Sequence, residues 1–480
     1  MKNKFNLLTS KEWLPFQKSW IKFESDETLY NSNIRFFTKA DELDQPVLYF
    51  GDQFELFSRL CVANNLKPAI LNENSAASQF VFIDLRTKIT KFISKEDYYT
   101  LKESILSLLY DIFDGLVERR FVAILAPNVR VGETYLAYAW DLAEAVAEIF
   151  SLKDEKIVCF ETGEKPSSDY FDPELDCFYS MYFRKDEQSK RSNIHKPFNF
   201  LEKNNKQMPK KFDSFIPTWF ILKPQRRTQA EILHPAKYPE DLVKLFINIF
   251  TEKGDNVFDP MSGTGSSQLG ALMLGRNGYG TELSEFFAGI ANGRCDEFLH
   301  PKQLSLFGDE EKSNIEFKII NKDAKLITSK DFPPLDFMVT SPPYWDMLNM
   351  KGAENQAKRI DKGLKTNYSD DPDDLGNIAD YYNFLYTLRD IYFNIASLMK
   401  PGAYMTIVVK NIKKKGTNYP FAWDLAHLLQ EKLILMPEVF WCQDDISIAP
   451  FGYGNTWVSN TFHQYCLNFQ IPYNDSNNLF

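Results

Sequence analysis

The sequence predicts an α/β protein whose main sheet is mostly parallel. From about residue 234 to residue 470, short apolar runs alternate with helical patterns, which is typical of parallel strands joined by crossover helices. A glycine-rich turn at residues 260–265 separates one of these strands from the helix that follows it. The last strand, 463–469, directly follows a loop rich in glycine and asparagine, so we expect it to run antiparallel to its neighbours.

The composition is that of a globular protein with two or three folded units. Of the 480 residues, 44% are hydrophobic and 25% are charged. The formal net charge of −10 excludes a uniformly basic coat for nucleic acid, but it does not exclude a local basic surface. Six scattered cysteines without a CxxC pair are typical of reduced thiols in a cytoplasmic protein. No stretch approaches 18 uninterrupted apolar residues, so we expect neither export nor membrane spanning.

The elements of the C-terminal part follow from periodicity and from capping residues. Strands are expected at 256–259, 279–282, 315–320, 335–340, 404–409, 439–442 and 463–469. Helices are expected from Pro239, over 266–274, after Ser284, from Ala379 and near Phe421. A polar insert occupies about 346–378. We therefore divide the chain into an N-terminal α/β domain (1–185), a basic linker that contacts nucleic acid (186–233), a C-terminal α/β domain (234–472) and a tail (473–480).

The N-terminal part repeats the pattern of the C-terminal part. Ala139-Trp140-Asp141-Leu142-Ala143 matches Ala422-Trp423-Asp424-Leu425-Ala426 at an offset of about 283 residues. The same offset also relates Asn128 to Asn411 and Cys159 to Cys442. We predict that residues from about 78 to 185 copy the second half of the C-terminal domain. The alternative is a chance similarity between two α/β units.

Residues 258–265, Phe-Asp-Pro-Met-Ser-Gly-Thr-Gly, have the composition of a ligand-binding turn. Glycine lets the backbone approach a ligand, and the start of the next helix favours an anionic group. The turn has neither the GxGxxG spacing of dinucleotide sites nor the lysine of a P-loop. Glu282 ends the next strand, where a carboxylate can accept hydrogen bonds from ribose hydroxyls. The alternatives are a plain strand-to-helix turn and an exposed glutamate at the end of a strand.

Ser341-Pro342-Pro343-Tyr344-Trp345 directly follows an apolar strand. The two prolines fix φ and remove two N–H donors, so the carbonyl groups there stay free to accept hydrogen bonds from a ligand. A hydroxyl and two aromatic faces stand beside these acceptors. This arrangement suits a planar heterocycle that carries an exocyclic amine. The alternative is a stiff loop that packs its aromatic side chains into the core.

Together these motifs resemble those of the amino-group DNA methyltransferases that use S-adenosylmethionine, over roughly residues 220–470. The resemblance implies a Rossmann-like methyltransferase sheet with catalytic residues Ser341, Pro342, Pro343 and Tyr344. It implies a cofactor site at His234, Pro235, Phe258, Asp259, Pro260, Met261, Gly263, Gly265, Glu282, Leu283, Asp323 and Ala324. The serine form of the catalytic motif is commonest in the cytosine-N4 subgroup, and the aspartate form is commoner for adenine-N6.

The N-terminal repeat departs from the family pattern. In place of the catalytic motif it carries Asp84-Leu85-Arg86-Thr87, without a proline pair or an aromatic residue, and no glycine-rich turn precedes it. We therefore expect a degenerate, non-catalytic half-domain that serves for packing or for gripping the substrate.

The resemblance implies methyl transfer from S-adenosylmethionine to N4 of a flipped-out cytosine in double-stranded DNA. The alternatives are adenine-N6 methylation, an RNA-base methyltransferase and a nucleic-acid-binding subunit without turnover. Expected substrate contacts are Trp345, Lys223, Arg226, Arg227, Lys410, Asn411 and Lys413, although the basic stretches also fit solvated charged segments. We expect no metal; among the histidines, His463 opens the last strand near the predicted site. The sequence does not identify a restriction or defence partner.

Overall fold

The computed structural model contains two α/β sheets in one chain. It describes residues 3–41, 44–92, 94–131, 134–160, 177–194, 217–223, 239–301, 314–345, 374–414, 416–444 and 459–473. Most of the predicted basic linker, most of the polar insert and nearly all of the predicted tail lie outside these ranges.

The N-terminal sheet has seven strands in the order β1-β8-β9-β5-β4-β2-β3. Its strands β8 and β5 both run antiparallel to β9, and the other neighbouring pairs are parallel. The elements are α1 (Ser10–Trp13), β1 (Trp20–Lys22), α2 (Asp26–Phe37), β2 (Val47–Phe50), α3 (Phe54–Ala63), β3 (Pro68–Ile70), β4 (Ser78–Asp84), α4 (Arg86–Ile89), α5 (Lys95–Ile112), β5 (Leu116–Ala126), β6 (Val129–Val131), β7 (Thr134–Leu136), α6 (Tyr138–Ala147), β8 (Ser151–Cys159) and β9 (Cys177–Arg184).

The C-terminal sheet has the order β10-β19-β20-β15-β14-β11-β12-β13, with β18 also paired to β20. The elements are β10 (Trp219–Ile221), α7 (Glu240–Phe250), β11 (Asn256–Asp259), α8 (Ser266–Met273), β12 (Asn277–Glu282), α9 (Glu285–Leu299), β13 (Phe317–Asn321), β14 (Leu335–Thr340), α10 (Tyr381–Ala396), β15 (Met399–Val409), β16 (Ile412–Lys414), β17 (Thr417–Tyr419), α11 (Phe421–Leu429), β18 (Ile434–Leu435), β19 (Val439–Cys442) and β20 (His463–Gln470). Strand β20 runs antiparallel to both of its neighbours, β15 and β19. The strands β11 to β15 pair in parallel, so the predicted fold class is confirmed.

Local sequence explains why the main elements form where they do. Helix α7 starts after Pro239 and buries Leu242, Phe246 and Phe250 on one face, as its periodicity predicts. The Phe250 ring stacks on Tyr404 of β15, at 4.7 Å between ring centroids. This packing places α7 against the sheet.

The two sheets correspond strand by strand. The order and direction of β1-β8-β9-β5-β4-β2-β3 are the same as those of β10-β19-β20-β15-β14-β11-β12. The register agrees as well, because Phe80 pairs with Phe121 and the equivalent Phe337 pairs with Tyr404. The correspondence therefore extends beyond residues 78–185, to about Trp20. The constant offset fails upstream of residue 98 because the loops there differ in length.

Equivalent residues of the two sheets also contact each other, so the two sheets form a pair with pseudo-twofold symmetry. The indole ring of Trp140 stacks on that of its counterpart Trp423, at 6.2 Å and 15° between planes. Two further indole contacts are reciprocal: Trp20 Nε1 donates to the Gln443 carbonyl, and Trp219 Nε1 donates to the Phe160 carbonyl, each at 3.0 Å. An interface of this kind uses the same surface on both partners.

A second reciprocal contact is polar and buried. Asn411 Nδ2 donates to the Glu155 carboxylate at 2.8 Å, and its counterpart Asn128 Nδ2 donates to Glu438 at 2.9 Å. Each asparagine oxygen also accepts a hydrogen bond from the first turn of the helix that follows in its own sheet, from the Ala422 amide or its counterpart. Each sheet therefore fixes the segment that follows the central strand of the other.

We expect Trp140→Ala to lower the free energy of unfolding by about 3–5 kcal/mol, because it removes a large, fully buried side chain from the interface. Urea unfolding followed by circular dichroism measures the change. Val62→Ala, at a position 63% exposed on α3, is the control and should change stability by less than about 0.5 kcal/mol. Equal effects of the two substitutions would contradict the packing described here.

Candidate active site

Asp259 joins the glycine-rich turn to the strand that precedes Ser341. Its buried carboxylate accepts hydrogen bonds from the Met261 amide at 2.9 Å and from Ser267 Oγ at 2.5 Å. It also accepts one from Thr340 Oγ1, at the end of β14, at 2.7 Å. One carboxylate thus sets the turn after β11, the first turn of α8 and the end of β14. The two predicted motifs are brought together at adjacent strand ends.

The turn itself depends on glycine. Gly263 and Gly265 have φ of 52° and 79°, in the left-handed region that side chains disfavour. A Cβ at Gly265 would lie 2.9 Å from Ala291 Cβ of α9. Glu282, at the end of β12, accepts hydrogen bonds from the Gly263 amide at 2.8 Å and from the Ser284 amide at 2.9 Å. Desolvation by burial raises the pKa of Glu282 to about 7.

These residues fit S-adenosylmethionine. Glycine positions let the backbone approach the methionine end of the cofactor without a Cβ in the way, and the start of α8 suits its carboxylate. Ser266 Oγ, in the first turn of α8, is buried and has no partner among the described residues, so it has bonding capacity for a ligand. Glu282 lies where a carboxylate can bind ribose hydroxyls.

The other residues predicted to bind the cofactor differ from one another in burial and in their contacts. Phe258 is a core residue, fully buried and packed edge-on against Phe332. Asp323 caps a short 3₁₀ helix through the Lys325 amide, and Ala324 is buried beside it. Pro260 accepts a hydrogen bond from Thr281 Oγ1 at 2.7 Å, Met261 and Leu283 are half-buried, and His234 and Pro235 lie outside the described residues.

The predicted catalytic motif forms a corner at the end of β14, and we call residues 341–345 the catalytic corner. Ser341 Oγ lies 3.2 Å from the Tyr344 hydroxyl, which donates to Gln464 Oε1 at 2.7 Å. Gln464 therefore fixes the Tyr344 ring. Sequence reasoning missed Gln464 and considered its neighbour His463 instead. The alternation of side chains along β20 sends these two residues to opposite faces.

The prolines and Trp345 shape the remainder of the catalytic corner. Among the described residues, no N–H or O–H group donates to the Pro342 carbonyl, which leaves that oxygen as an acceptor. Trp345 is buried and has φ of 45°, a conformation that a large side chain rarely adopts. Its ring packs against Tyr419 at 4.9 Å and Tyr381 at 5.2 Å between centroids. Such strain is typical of functional loops.

Lys410 is a cation directed to the catalytic corner. It follows the last residue of β15, and its Nζ lies 5.3 Å from the centroid of the Tyr344 ring. Desolvation by burial lowers the pKa of Lys410. In the described part of the chain, no carboxylate lies within ion-pair distance of this nitrogen. A half-buried cation of this kind suits an anionic or carbonyl-bearing ligand.

The other predicted substrate contacts do not gather at the catalytic corner. Asn411 and Lys413 face the N-terminal sheet, where Glu155 and Asp154 bind them, so they are engaged away from the corner. Lys223 is exposed after β10. Arg226 and Arg227 lie outside the described residues.

The side chain of His463 contacts the N-terminal segment of the chain and not the catalytic corner. His463 is 1% exposed, and its Nδ1 lies 2.8 Å from Ser19 Oγ of the N-terminal sheet. Within the described ranges, no group of three or more His, Cys, Asp or Glu side chains is placed to hold a metal ion. No helix in the same ranges is long and apolar enough to cross a bilayer.

The N-terminal sheet has different chemistry at the equivalent positions. The strand register places Tyr49 where β11 has Asp259, and Asp84 where the catalytic corner has Ser341. The Tyr30 hydroxyl donates to Asp84 at 2.5 Å and lies 3.0 Å from the Tyr49 hydroxyl. Arg86 forms ion pairs with Asp84 at 2.5 Å and with an aspartate of α2. These side chains bind one another at the positions where the C-terminal sheet has the glycine-rich turn and the catalytic corner.

Comparison with known proteins places the chain among DNA methylases. Residues 49–293 match the N6/N4 DNA methylase family. The matched range starts in the N-terminal sheet, includes the glycine-rich turn and Glu282, and ends in α9. The catalytic corner therefore lies beyond it, and the overlap with the predicted range of 220–470 is partial.

Curated relatives match over short segments. The chain is 38% identical over 66 residues to the orphan methyltransferase M.BamHII of Bacillus amyloliquefaciens, covering 14% of this chain and 25% of that one. It is 39% identical over 64 residues to the type II methyltransferase M.MthZI of Methanothermobacter thermautotrophicus, covering 13% and 18%. The match thus spans a quarter or less of the length of these relatives.

Solved structures resemble the chain more weakly. TrmN from Thermus thermophilus is 14% identical, with 48% of each chain covered and a TM-score of 0.27. The magnesium protoporphyrin IX methyltransferase of Synechocystis PCC 6803 with bound SAM is 12% identical, covering 48% of this chain and 77% of that one, with a TM-score of 0.28. At these TM-scores, the likeness adds nothing to the fold described above.

We expect Gly265→Ala to weaken S-adenosylmethionine binding at least tenfold, because the new Cβ would push the turn away from α9. Isothermal titration calorimetry measures the Kd. The matched control is Gly254→Ala, which has a similar φ of 87° but nothing within 4 Å of the new Cβ. Comparable loss of binding in the two variants would mean that backbone strain, and not the turn geometry, is responsible.

We expect the Kd of S-adenosylmethionine to rise as the pH falls from 8 to 6, because protonated Glu282 loses acceptor capacity near its pKa of about 7. Titrations at three pH values test this, and Glu282→Gln should bind more weakly at pH 8 without the pH dependence. The stability of the protein without cofactor depends on pH in the opposite direction. The folded pKa lies above the unfolded one, so the stability from Glu282 is present at low pH and lost as the pH rises through 7. A pH-independent Kd in the unmodified protein would refute the role of Glu282.

Proposed function

Because the chain belongs to the N6/N4 DNA methylase family, we propose that it transfers a methyl group from S-adenosylmethionine to the exocyclic N4 of cytosine in double-stranded DNA. The observation that carries this proposal is the Asp259–Thr340 hydrogen bond, which joins the glycine-rich turn to the catalytic corner. A cofactor on the turn and an amino group at the corner then meet at adjacent strand ends, as methyl transfer requires.

The catalytic corner suits an exocyclic amine. The lone pair of that nitrogen is delocalised into the ring, which makes it a poor nucleophile. Ser341 Oγ and the Pro342 carbonyl are two acceptors on one turn, and hydrogen bonds from the amino group to them favour a pyramidal nitrogen. Acceptors fixed before the reaction stabilise the positive charge that develops there. S-adenosylmethionine supplies an electrophilic methyl group on a sulfonium.

The aromatic side chains suit a base that has left the duplex. Flipping costs a few kcal/mol, and stacking on a flat ring offsets part of that cost. The Tyr344 ring is fixed by Gln464 and has Lys410 beside it, so a stacked base would meet a cation next to the ring. A lysine there binds a phosphate or the carbonyl oxygen of a pyrimidine.

The serine of the catalytic corner supports cytosine over adenine, and adenine-N6 is the nearest rival on the same scaffold. The N-terminal sheet is a non-catalytic partner in this proposal, because Tyr49 and Asp84 occupy the positions of Asp259 and Ser341. The chain uses DNA rather than RNA in this proposal, in agreement with its family. Relatives named type II methyltransferases support a role in restriction–modification, with a nuclease of unidentified sequence specificity.

The test is transfer of a labelled methyl group from S-adenosylmethionine to genomic DNA, followed by nucleoside analysis and mapping of the modified base. N4-methylcytosine is the expected product. N6-methyladenine would overturn the choice of base, and labelling of structured RNA in preference to duplex DNA would overturn the substrate.

We expect Ser341→Ala to lower the rate of methyl transfer about 100-fold, because it removes one of the two acceptors for the amino group. Pro342→Ala should also lower it, since the restored N–H and freer φ let the corner relax. Single-turnover kinetics at saturating cofactor measure both. Ser397→Ala, at the exposed end of α10, is the control. Unchanged transfer in both corner variants would show that the site lies elsewhere.

A further inference from the structure

An acidic edge of the N-terminal sheet binds the segment beside the catalytic corner. We call residues 410–419, which follow β15 and include the β16–β17 hairpin, the rim segment. The Glu155 carboxylate of β8 accepts two hydrogen bonds from Asn411 Nδ2, at 2.8 and 2.9 Å. Its neighbour Asp154 forms an ion pair with Lys413. Both acids are almost fully buried, so these contacts are shielded from water.

The same edge binds the segment that leads into β20. The Ser459 amide and Ser459 Oγ each donate to Asp154 at 2.8 Å. Ser19, which precedes β1, accepts a hydrogen bond from the Phe462 amide at 2.7 Å. Gln464, which fixes Tyr344, lies two residues further along β20. Two segments that border the catalytic corner are therefore bound by one strand edge of the other sheet.

The pseudo-twofold relation shows which of these contacts are specific to the catalytic side. The Asn411–Glu155 contact has a counterpart, Asn128–Glu438, on the side of the N-terminal hairpin. The Asp154–Lys413 ion pair has none, because Pro437 stands at the position that corresponds to Asp154. The cations of Lys413 and Lys156 hold the pKa of Asp154 below its usual range in spite of its burial. The catalytic side thus has an additional buried anchor.

The rim segment in turn contacts the catalytic corner. Its first residue, Lys410, lies over the Tyr344 ring, and Lys414 Nζ lies 4.0 Å from the centroid of the Trp345 ring. Tyr419, at the other end of the hairpin, packs on the same indole. Trp345 has a strained φ, and strain persists only where the surroundings determine the conformation.

We infer that Asp154 and Glu155 are positioning residues for the active site, through which the non-catalytic sheet fixes the rim segment and thereby Lys410 and Trp345. Neither acid touches the catalytic corner itself. The catalytic consequence rests on the function proposed above, whereas the placement of the rim segment does not. The N-terminal sheet is then a structural part of the active site and not a dispensable appendage.

The two pseudo-equivalent glutamates give a matched pair of variants. Glu155→Ala and Glu438→Ala each remove a buried carboxylate that accepts from an interface asparagine. Amide hydrogen exchange in the full chain measures where the structure loosens. Glu155→Ala should speed exchange in residues 410–419, and Glu438→Ala should speed it in residues 127–136. Equal exchange of residues 410–419 in the two variants would overturn the inference, whether or not the protein has activity.

The rate of methyl transfer tests the effect of the two acids on catalysis. Glu155→Ala should lower kcat on the order of 10- to 100-fold with an unchanged Kd for S-adenosylmethionine, because a misplaced group affects the reacting geometry and not the turn. Glu438→Ala should stay within about twofold of the unmodified protein. Asp154→Asn keeps its volume but loses the charge that faces Lys413, so it serves as the milder variant if Glu155→Ala does not fold. Full activity in folded Glu155→Ala and Asp154→Asn would refute the positioning role; an inactive unmodified protein would instead refute the proposed function.

Discussion

The reciprocal asparagine–glutamate hydrogen bonds across the interface are the constraint on which the rest of the structure depends. Each asparagine stands two residues after the central strand of its sheet, where the chain leaves the sheet and forms a short hairpin before the next helix. Its oxygen binds that helix and its nitrogen binds the other sheet. A buried amide or carboxylate that loses its partner costs about 1–3 kcal/mol or more. The two sheets therefore specify each other's local structure, and neither surface could be exposed without loss.

Asp259 has the corresponding role inside the C-terminal sheet. Its three hydrogen bonds join the glycine-rich turn, the first turn of α8 and the end of β14. In the N-terminal sheet, Tyr49 stands at this position and bonds to Tyr30 instead. The exchange of one strand-end carboxylate for a tyrosine accompanies the loss of the glycine-rich turn. The same fold thus supports a site in one sheet and a closed hydrogen-bond network in the other.

Local patterns predicted most of the C-terminal sheet. The strands at 256–259, 335–340 and 439–442 were predicted with their observed bounds, because short apolar runs bounded by turn residues define them. The repeat was clearest at Ala139–Ala143 because that segment packs against its own counterpart, so both copies need the same side chains. The roles of Asn411, Lys413 and Gln464 were not predictable, since their partners lie more than 100 residues away in the sequence and local periodicity carries no information on such pairs.

The covalent connection between the two sheets has a consequence for how their pairing responds to dilution. Two separate chains with this interface would associate in a bimolecular step. The fraction of associated, active protein would then decrease as the protein is diluted. A peptide link makes the same association intramolecular, so the pairing no longer depends on the protein concentration. The partner that stabilises the rim of the site is then present at fixed stoichiometry, even in a cell that holds only a few copies of the protein.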